Sequence, residues 1–165
     1  MLTPDFEGRH ESIECVVDSG LDVFAHNVET VRSLTPTVRD RRADYVQSLN
    51  VLRHAKQHAV ARGRRLVTKT SIMLGCGERD DEVKRTLEEL REHQVDVVTF
   101  GQYLQPSRAH MKVVDYVHPD HFAHWQREAE ALGFLYCASG PLVRSSYRAG
   151  EYFLRDHLRK QTQQQ

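Results

Sequence analysis

Apolar positions recur along the chain in two alternating rhythms, and the elements they predict follow one another in regular succession. A helical spacing runs through Ile13, Val16 and Val17 and stops at Gly20. "LDVFAH", Leu21 to His26, then reads as a buried strand. Ala43 to Arg62 carries Val46, Leu49, Leu52 and Ala55 on a helical repeat and halts at Gly63. Arg65 to Leu74 is rich in β-branched residues and bounded by Gly75 and Gly77, which suits a strand. Asp80 is placed to cap a helix whose Val83, Leu87 and Leu90 share one face. Val95 to Gly101 is a further strand. Pro119 opens a helix through Phe122, Trp125, Ala129 and Leu132 to Gly133. Phe134 to Ser139 is the last strand, and Arg148 to Lys160 reads as a closing helix.

Strands that are nearly continuous in apolar residues, alternating with helices, indicate an α/β fold with a parallel sheet covered by helices. No Gly-rich linker divides the chain. Met1 to Thr3, ahead of Pro4, looks like a strand without a lead-in. A parallel strand at a bare terminus usually has a predecessor, so an earlier portion of the protein is expected.

Composition narrows the function classes. Lys+Arg and Asp+Glu are both 23, giving a formal net charge of +0, which argues against broad electrostatic binding to nucleic acid or anionic membrane. No apolar run approaches the roughly 18 residues of a membrane span. "MLTPDFEG" shows no basic or amphipathic leader. Cys15, Cys76 and Cys137 lie far apart without C-x-x-C spacing and read as free thiols, with no ligand role.

In α/β proteins, ligands sit beyond the carboxyl ends of the strands. Four polar clusters fall there: "HNVET", "GCGE", "QYLQPS" and "SGPLVRSSY". Asn27 and Glu29 offer an amide and a carboxylate of the kind that holds a ribose diol. Glu29 equally suits the start of a helix ending near Leu34, where a carboxylate favours the helix dipole. Lys69 falls in an apolar strand, so it must reach a carboxylate or an anionic ligand. Arg39, in "TVRDRR", is a weaker candidate for the same task. His118, His121 and His124, and separately His54 and His58, are spaced to share helix faces. Neither set has a Cys or carboxylate evident in the sequence to complete a metal site, so both read as surface histidines. Phosphate-loop, dinucleotide-fingerprint and nucleophile-elbow motifs are absent.

The blocks "LTPDFEG", "GLDVFAHNVETV", "KTSIMLGCGE", "VDVVTFGQYLQPS" and "ASGPLVRSSYRAGE", in this order, resemble the lipoyl synthase family, nearest its mitochondrial branch. The resemblance implies the carboxy-terminal part of a partial (β/α) TIM-type barrel with parallel strands. It places the barrel portion in residues 1–140 and the "RSSY" segment with its helix in residues 141–165. It implies radical S-adenosylmethionine chemistry: two four-iron, four-sulfur clusters and S-adenosylmethionine serve to insert two sulfur atoms into a protein-bound octanoyl chain. Implied partners are octanoylated lipoyl carrier domains, from 2-oxoacid dehydrogenase acyltransferase subunits and the glycine cleavage H protein, together with an electron donor. The implied location is the mitochondrial matrix, or the cytoplasm for a bacterial member.

Within "SIMLGCGE", Met73, Gly75 and Glu78 match the wider "GxIxGxxE" pattern that passes the adenine, with Ser71 replacing its first glycine. Asn27 and Glu29 match S-adenosylmethionine contacts, and Lys69 and Arg39 are candidates beside them. Ser146 matches the fourth ligand of the auxiliary cluster, a labile oxygen where thiolates are the norm. Arg144, Ser145 and Tyr147 would support that loop. The family's two cysteine triplets, C-x-x-x-x-C-x-x-x-x-x-C and C-x-x-x-C-x-x-C, are absent, so this chain alone is expected to be inactive. A non-catalytic module that binds lipoyl carrier domains is the alternative.

Overall fold

A computed structural model describes residues 1–145. A 3₁₀ turn at Phe6–Gly8 leads into helix α1 (His10–Asp18) and strand β1 (Val23–Ala25). A second 3₁₀ turn, Arg32–Leu34, runs into the short α2 (Thr35–Val38). There follow α3 (Tyr45–Ala61), β2 (Val67–Leu74), α4 (Asp80–Glu92), β3 (Val97–Gln102), α5 (Pro119–Ala131) and β4 (Tyr136–Ser139). The expected closing helix from Arg148 to Lys160, with Ser146 and Tyr147, lies outside the described residues.

The caps explain the helix starts. Asp44 accepts the Gln47 N–H at 2.9 Å and opens α3. Its buried stripe is Tyr45, Ser48, Leu49, Leu52, Ala55 and Ala59, while Val46 faces outward at 40% exposure. The inward stripe is therefore rotated from the one expected through Val46. In α4 the capping position is Arg79, not Asp80: the Glu82 carboxylate returns to the Arg79 N–H at 2.9 Å. Asp80 sits just inside the first turn, where its charge still favours the dipole. Pro119 occupies the first turn of α5, as expected.

All four strands are parallel and stand in the order β1-β2-β3-β4. Ala25, Lys69, Val97 and Tyr136 form one register line across the sheet. Met1 to Thr3 extends this sheet beyond β1: the Thr3 N–H donates to the Ala25 carbonyl and the Ala25 N–H to Met1, both at 2.8 Å. Sequential parallel order with right-handed crossovers places every helix on the same face. The core bears this out, since Phe24, Ile72, Leu74, Val98 and Phe100 pack with residues of α1, α3, α4 and α5 in one cluster. A doubly wound sheet would instead reverse its order at a switch point. This is the α/β architecture of part of a (β/α) barrel. No helix among the described residues is long and apolar enough to cross a membrane.

Alternation along the strands sends Lys69, Ser71 and Met73 of β2 and Val97, Thr99 and Gly101 of β3 to the opposite, inner face. There Val67 and Val97 form a small apolar cluster with the half-buried Val23, Leu135 and Tyr136, near the amino ends of the strands. Toward the carboxyl ends the inner face turns polar.

Candidate functional site

Parallel strands bring the four polar loops to one rim, and a cleft of about 220 Å³ opens among three of them, with Gly75 and Glu78 of the "GCGE" loop outside its lining. Asn27, Glu29, Ser71, Met73 and Gly101 line it, and Val143, Arg144 and Ser145 form a further wall. Glu29 does not begin a helix. Its backbone is left-handed, with φ +66°, and it adds one bridge to the edge of β2 opposite Ile72. Its N–H donates to the Ser71 carbonyl at 3.0 Å and its carbonyl accepts the Met73 N–H at 2.8 Å. A non-glycine residue in this conformation is uncommon, and such strain collects at functional sites. The bridge turns the carboxylate toward the cleft, where the Asn27 amide donates to it at 3.1 Å. Burial pushes the Glu29 carboxyl pKa up, opposed by the Asn27 hydrogen bond and the charge of Arg39.

Behind this pair lies a relay that the sequence reading missed. The buried His26 places Nδ1 3.0 Å from the Thr3 carbonyl and Nε2 2.9 Å from Ser48 Oγ. A carbonyl can only accept, so Nδ1 carries the proton and Nε2 accepts from the Ser48 hydroxyl. The same oxygen then accepts Arg39 Nη1 at 2.7 Å. Every donor thus meets an acceptor only if the imidazole is neutral. Burial lowers the His26 pKa accordingly, opposed by its bond to Thr3. Arg39 is tied to Ser48 and does not line the cleft, although its charge reaches Glu29.

The loop after β2 is built by Glu78. Its two carboxylate oxygens accept the Gly75 and Cys76 N–H groups at 2.6 and 2.9 Å. Both are spent inside the turn, so Glu78 braces the loop rather than lining the cleft. Gly75 has φ +93°, and a Cβ there would overlap the Asp115 carbonyl and Gln102 Nε2. Gln102 locks the facing loop. Its Nε2 donates to the carbonyls of Tyr103 and Asp115 at 3.0 and 2.9 Å, and its Oε1 accepts the Val117 N–H at 3.0 Å.

Lys69 is 8% exposed on the inner face and donates from Nζ to the Ser145 carbonyl at 2.6 Å. On the neighbouring strand, a Cβ at Gly101 would overlap the Val143 carbonyl. A glycine inside an apolar strand is the sequence signal for such a close backbone approach. Arg144 is exposed, and its Nη1 donates to the Val143 carbonyl at 3.2 Å. Ser146 and Tyr147 fall beyond the described residues.

The helix histidines are less bare than their spacing implied. His54 and His58 on α3 meet carboxylates from α1: His54 Nε2 lies 2.9 Å from Glu14 Oε1, and His58 Nε2 lies 3.0 Å from Asp18 Oδ1. His10 stacks on His54 at 3.8 Å. His121 pairs with Asp80 at 3.0 Å, and His124 lies edge-on to Trp125. No group of three or more His, Cys, Asp or Glu among the described residues could hold a metal ion. Cys15 is exposed on α1. Burial pushes the Cys76 and Cys137 thiols up to about 12.

No protein-family model matches the chain. It is 62% identical over 161 residues to a mitochondrial lipoyl synthase of Schizosaccharomyces pombe, covering 98% of this chain and 42% of that protein. It is 60% identical over 159 residues to that of Zygosaccharomyces rouxii, covering 96% and 40%. To that of Drosophila sechellia it is 55% identical over 164 residues, covering 99% and 42%. The chain therefore spans about two-fifths of the length of the curated relatives it matches. These relatives carry the mitochondrial designation, which places the chain in the mitochondrial branch. On identity sustained over nearly its whole length, this chain belongs to the lipoyl synthase family.

Proposed function

We propose that the chain supplies the S-adenosylmethionine cleft and the serine-bearing segment of a mitochondrial lipoyl synthase, acting in the matrix. The observation that carries this reading is the shared cleft, in which Asn27, Glu29, Ser71 and Met73 converge from two strand ends against residues 143–145. S-adenosylmethionine, when bound, supplies the hydrogen-abstracting radical for sulfur insertion into a protein-bound octanoyl chain. Glu29 accepts hydroxyl or ammonium hydrogen bonds from it, and Asn27 fixes the carboxylate's orientation. Ser71 and Met73 line the inner wall. Gly75, held by Glu78, is proposed to pass the adenine on the family pattern, although in this structure Asp115 and Gln102 pack over it and it does not line the cleft.

The described residues do not provide a ligand set for either iron–sulfur cluster. Ser146 is proposed as the fourth ligand of the auxiliary cluster, with Arg144, Ser145 and Tyr147 supporting its loop. Octanoylated carrier domains and an electron donor are the proposed partners. The 165-residue chain by itself is proposed to be inactive.

The test is Ser146→Ala in a full-length enzyme carrying both cysteine triplets. Lipoyl formation on an octanoylated carrier falls at least a hundredfold while reductive cleavage of S-adenosylmethionine continues, roughly the loss expected for a missing metal-site group. Retention of lipoyl formation would overturn the ligand assignment.

A further inference from the structure

Two independent contacts seat the segment that leads to Ser146 on the inner face of the sheet. Lys69 Nζ reaches across 76 residues of sequence to the Ser145 carbonyl at 2.6 Å. The Val143 carbonyl rests against the bare backbone of Gly101, where any Cβ would collide with it. Lys69 and Gly101 stand on adjacent strands, β2 and β3. Both contacts are to main-chain carbonyls, so they hold the path of the segment whatever side chains it carries.

We infer that Lys69 and Gly101 are positioning residues that dock residues 143–145 as a wall of the cleft and so hold the approach to Ser146. The Lys69 ammonium holds the carbonyl of Ser145, the last described residue of the segment. The bond is charge-assisted and largely shielded from water, which makes it one of the stronger kinds. The docked residues are also a wall of the cleft that holds Asn27 and Glu29, so the cofactor contacts and the serine segment form one site.

The docking follows from the geometry, while its importance for Ser146 rests on the proposed ligand role. Hydrogen–deuterium exchange on the 165-residue chain separates the two. Lys69→Met raises amide exchange at residues 143–145 by about tenfold, the scale of one lost charge-assisted bond. The amides of β2 and β3 keep wild-type protection. Lys69→Arg, which retains a cationic donor, restores most of the protection, and Gly101→Ala raises exchange in the same segment from the other contact. Wild-type exchange in Lys69→Met would overturn the docking, as would a rise spread evenly through β2 and β3 or a failure of Lys69→Arg to restore protection. None of these results would touch the ligand role of Ser146, which stands or falls with lipoyl formation by Ser146→Ala.

Discussion

The helix-facing side of the sheet presents Phe24, Ile72, Leu74, Val98 and Phe100, all essentially without solvent exposure. The inner side of the same strands presents Lys69, Ser71, Met73, Thr99 and Gly101. The residues alternate one by one, so each strand serves two purposes at once. The outer set excludes water and holds four helices. The inner set is buried too except for the half-buried Met73, but its contents are a cation, hydroxyls, a thioether and a bare backbone, which make poor cores and good binding walls. Burial alone therefore does not distinguish structure from function here; the chemistry of what is buried does. The comparison predicts that outer substitutions cost stability, whereas inner ones cost function with little loss of stability.

Phe100→Ala should break the outer side most severely. The ring is fully buried on β3 and stacks with Trp125 at 6.4 Å between centroids. Its removal leaves a cavity between β3 and α5, at an expected cost of about 3–5 kcal/mol. Small domains are stable by only about 5–15 kcal/mol. Urea denaturation followed by Trp125 fluorescence should show the transition moved far toward zero denaturant. A shift below about 1 kcal/mol would mean that this face is not the principal core.

Gly75→Ala tests the boundary between the two sides, where β2 turns into the rim. A Cβ added there meets both a backbone carbonyl and the amide of Gln102, in a conformation that L side chains rarely adopt. Strain and displacement together should cost about 2–3 kcal/mol. Because Gln102 ties down Tyr103, Asp115 and Val117, the loop from 103 to 118 should become the first site of limited proteolysis. Cleavage that begins elsewhere would show that the Gln102 lock is not what organises this loop.

The outer side was legible in the sequence because each strand and helix signals its own period. Strand existence and the parallel arrangement follow from apolar runs between helices, and Pro119 and Gly133 marked the limits of α5 correctly. Readings failed where a distant partner decided the local structure. Glu29 resembled a helix start, yet its pairing with Ile72 on β2 holds it left-handed. Glu78 was recognised by type, but its carboxylate is consumed by the adjacent turn. His54 and His58 looked like bare surface because Glu14 and Asp18 lie 40 residues earlier. Lys69 had to have a buried partner, and no periodicity could name Ser145. Gly101 is different: a glycine within "VVTFGQ" did carry a readable signal of close backbone approach.

Glu29→Gln should have the smallest effect on stability and sharpens the comparison most. Burial raises the folded-state pKa of this carboxyl above its unfolded value. Between those two values the folded protein binds more protons than the unfolded chain, so the contribution of Glu29 to stability falls as pH rises through the window. At about pH 4 wild type and variant should be nearly equally stable, since the wild-type carboxyl is then largely neutral in the fold. By about pH 7 the variant should be the more stable of the two. The amide oxygen in the variant can still accept the Asn27 hydrogen bond, so packing gives no reason for a loss. Paired urea titrations at the two pH values measure this. In the proposed full-length enzyme the same substitution should weaken S-adenosylmethionine binding about tenfold or more, through loss of the charged acceptor. A variant that is less stable at neutral pH would show that Glu29 serves chiefly as an ion-pair partner for Arg39, and would move it from the binding side of the sheet to the structural one.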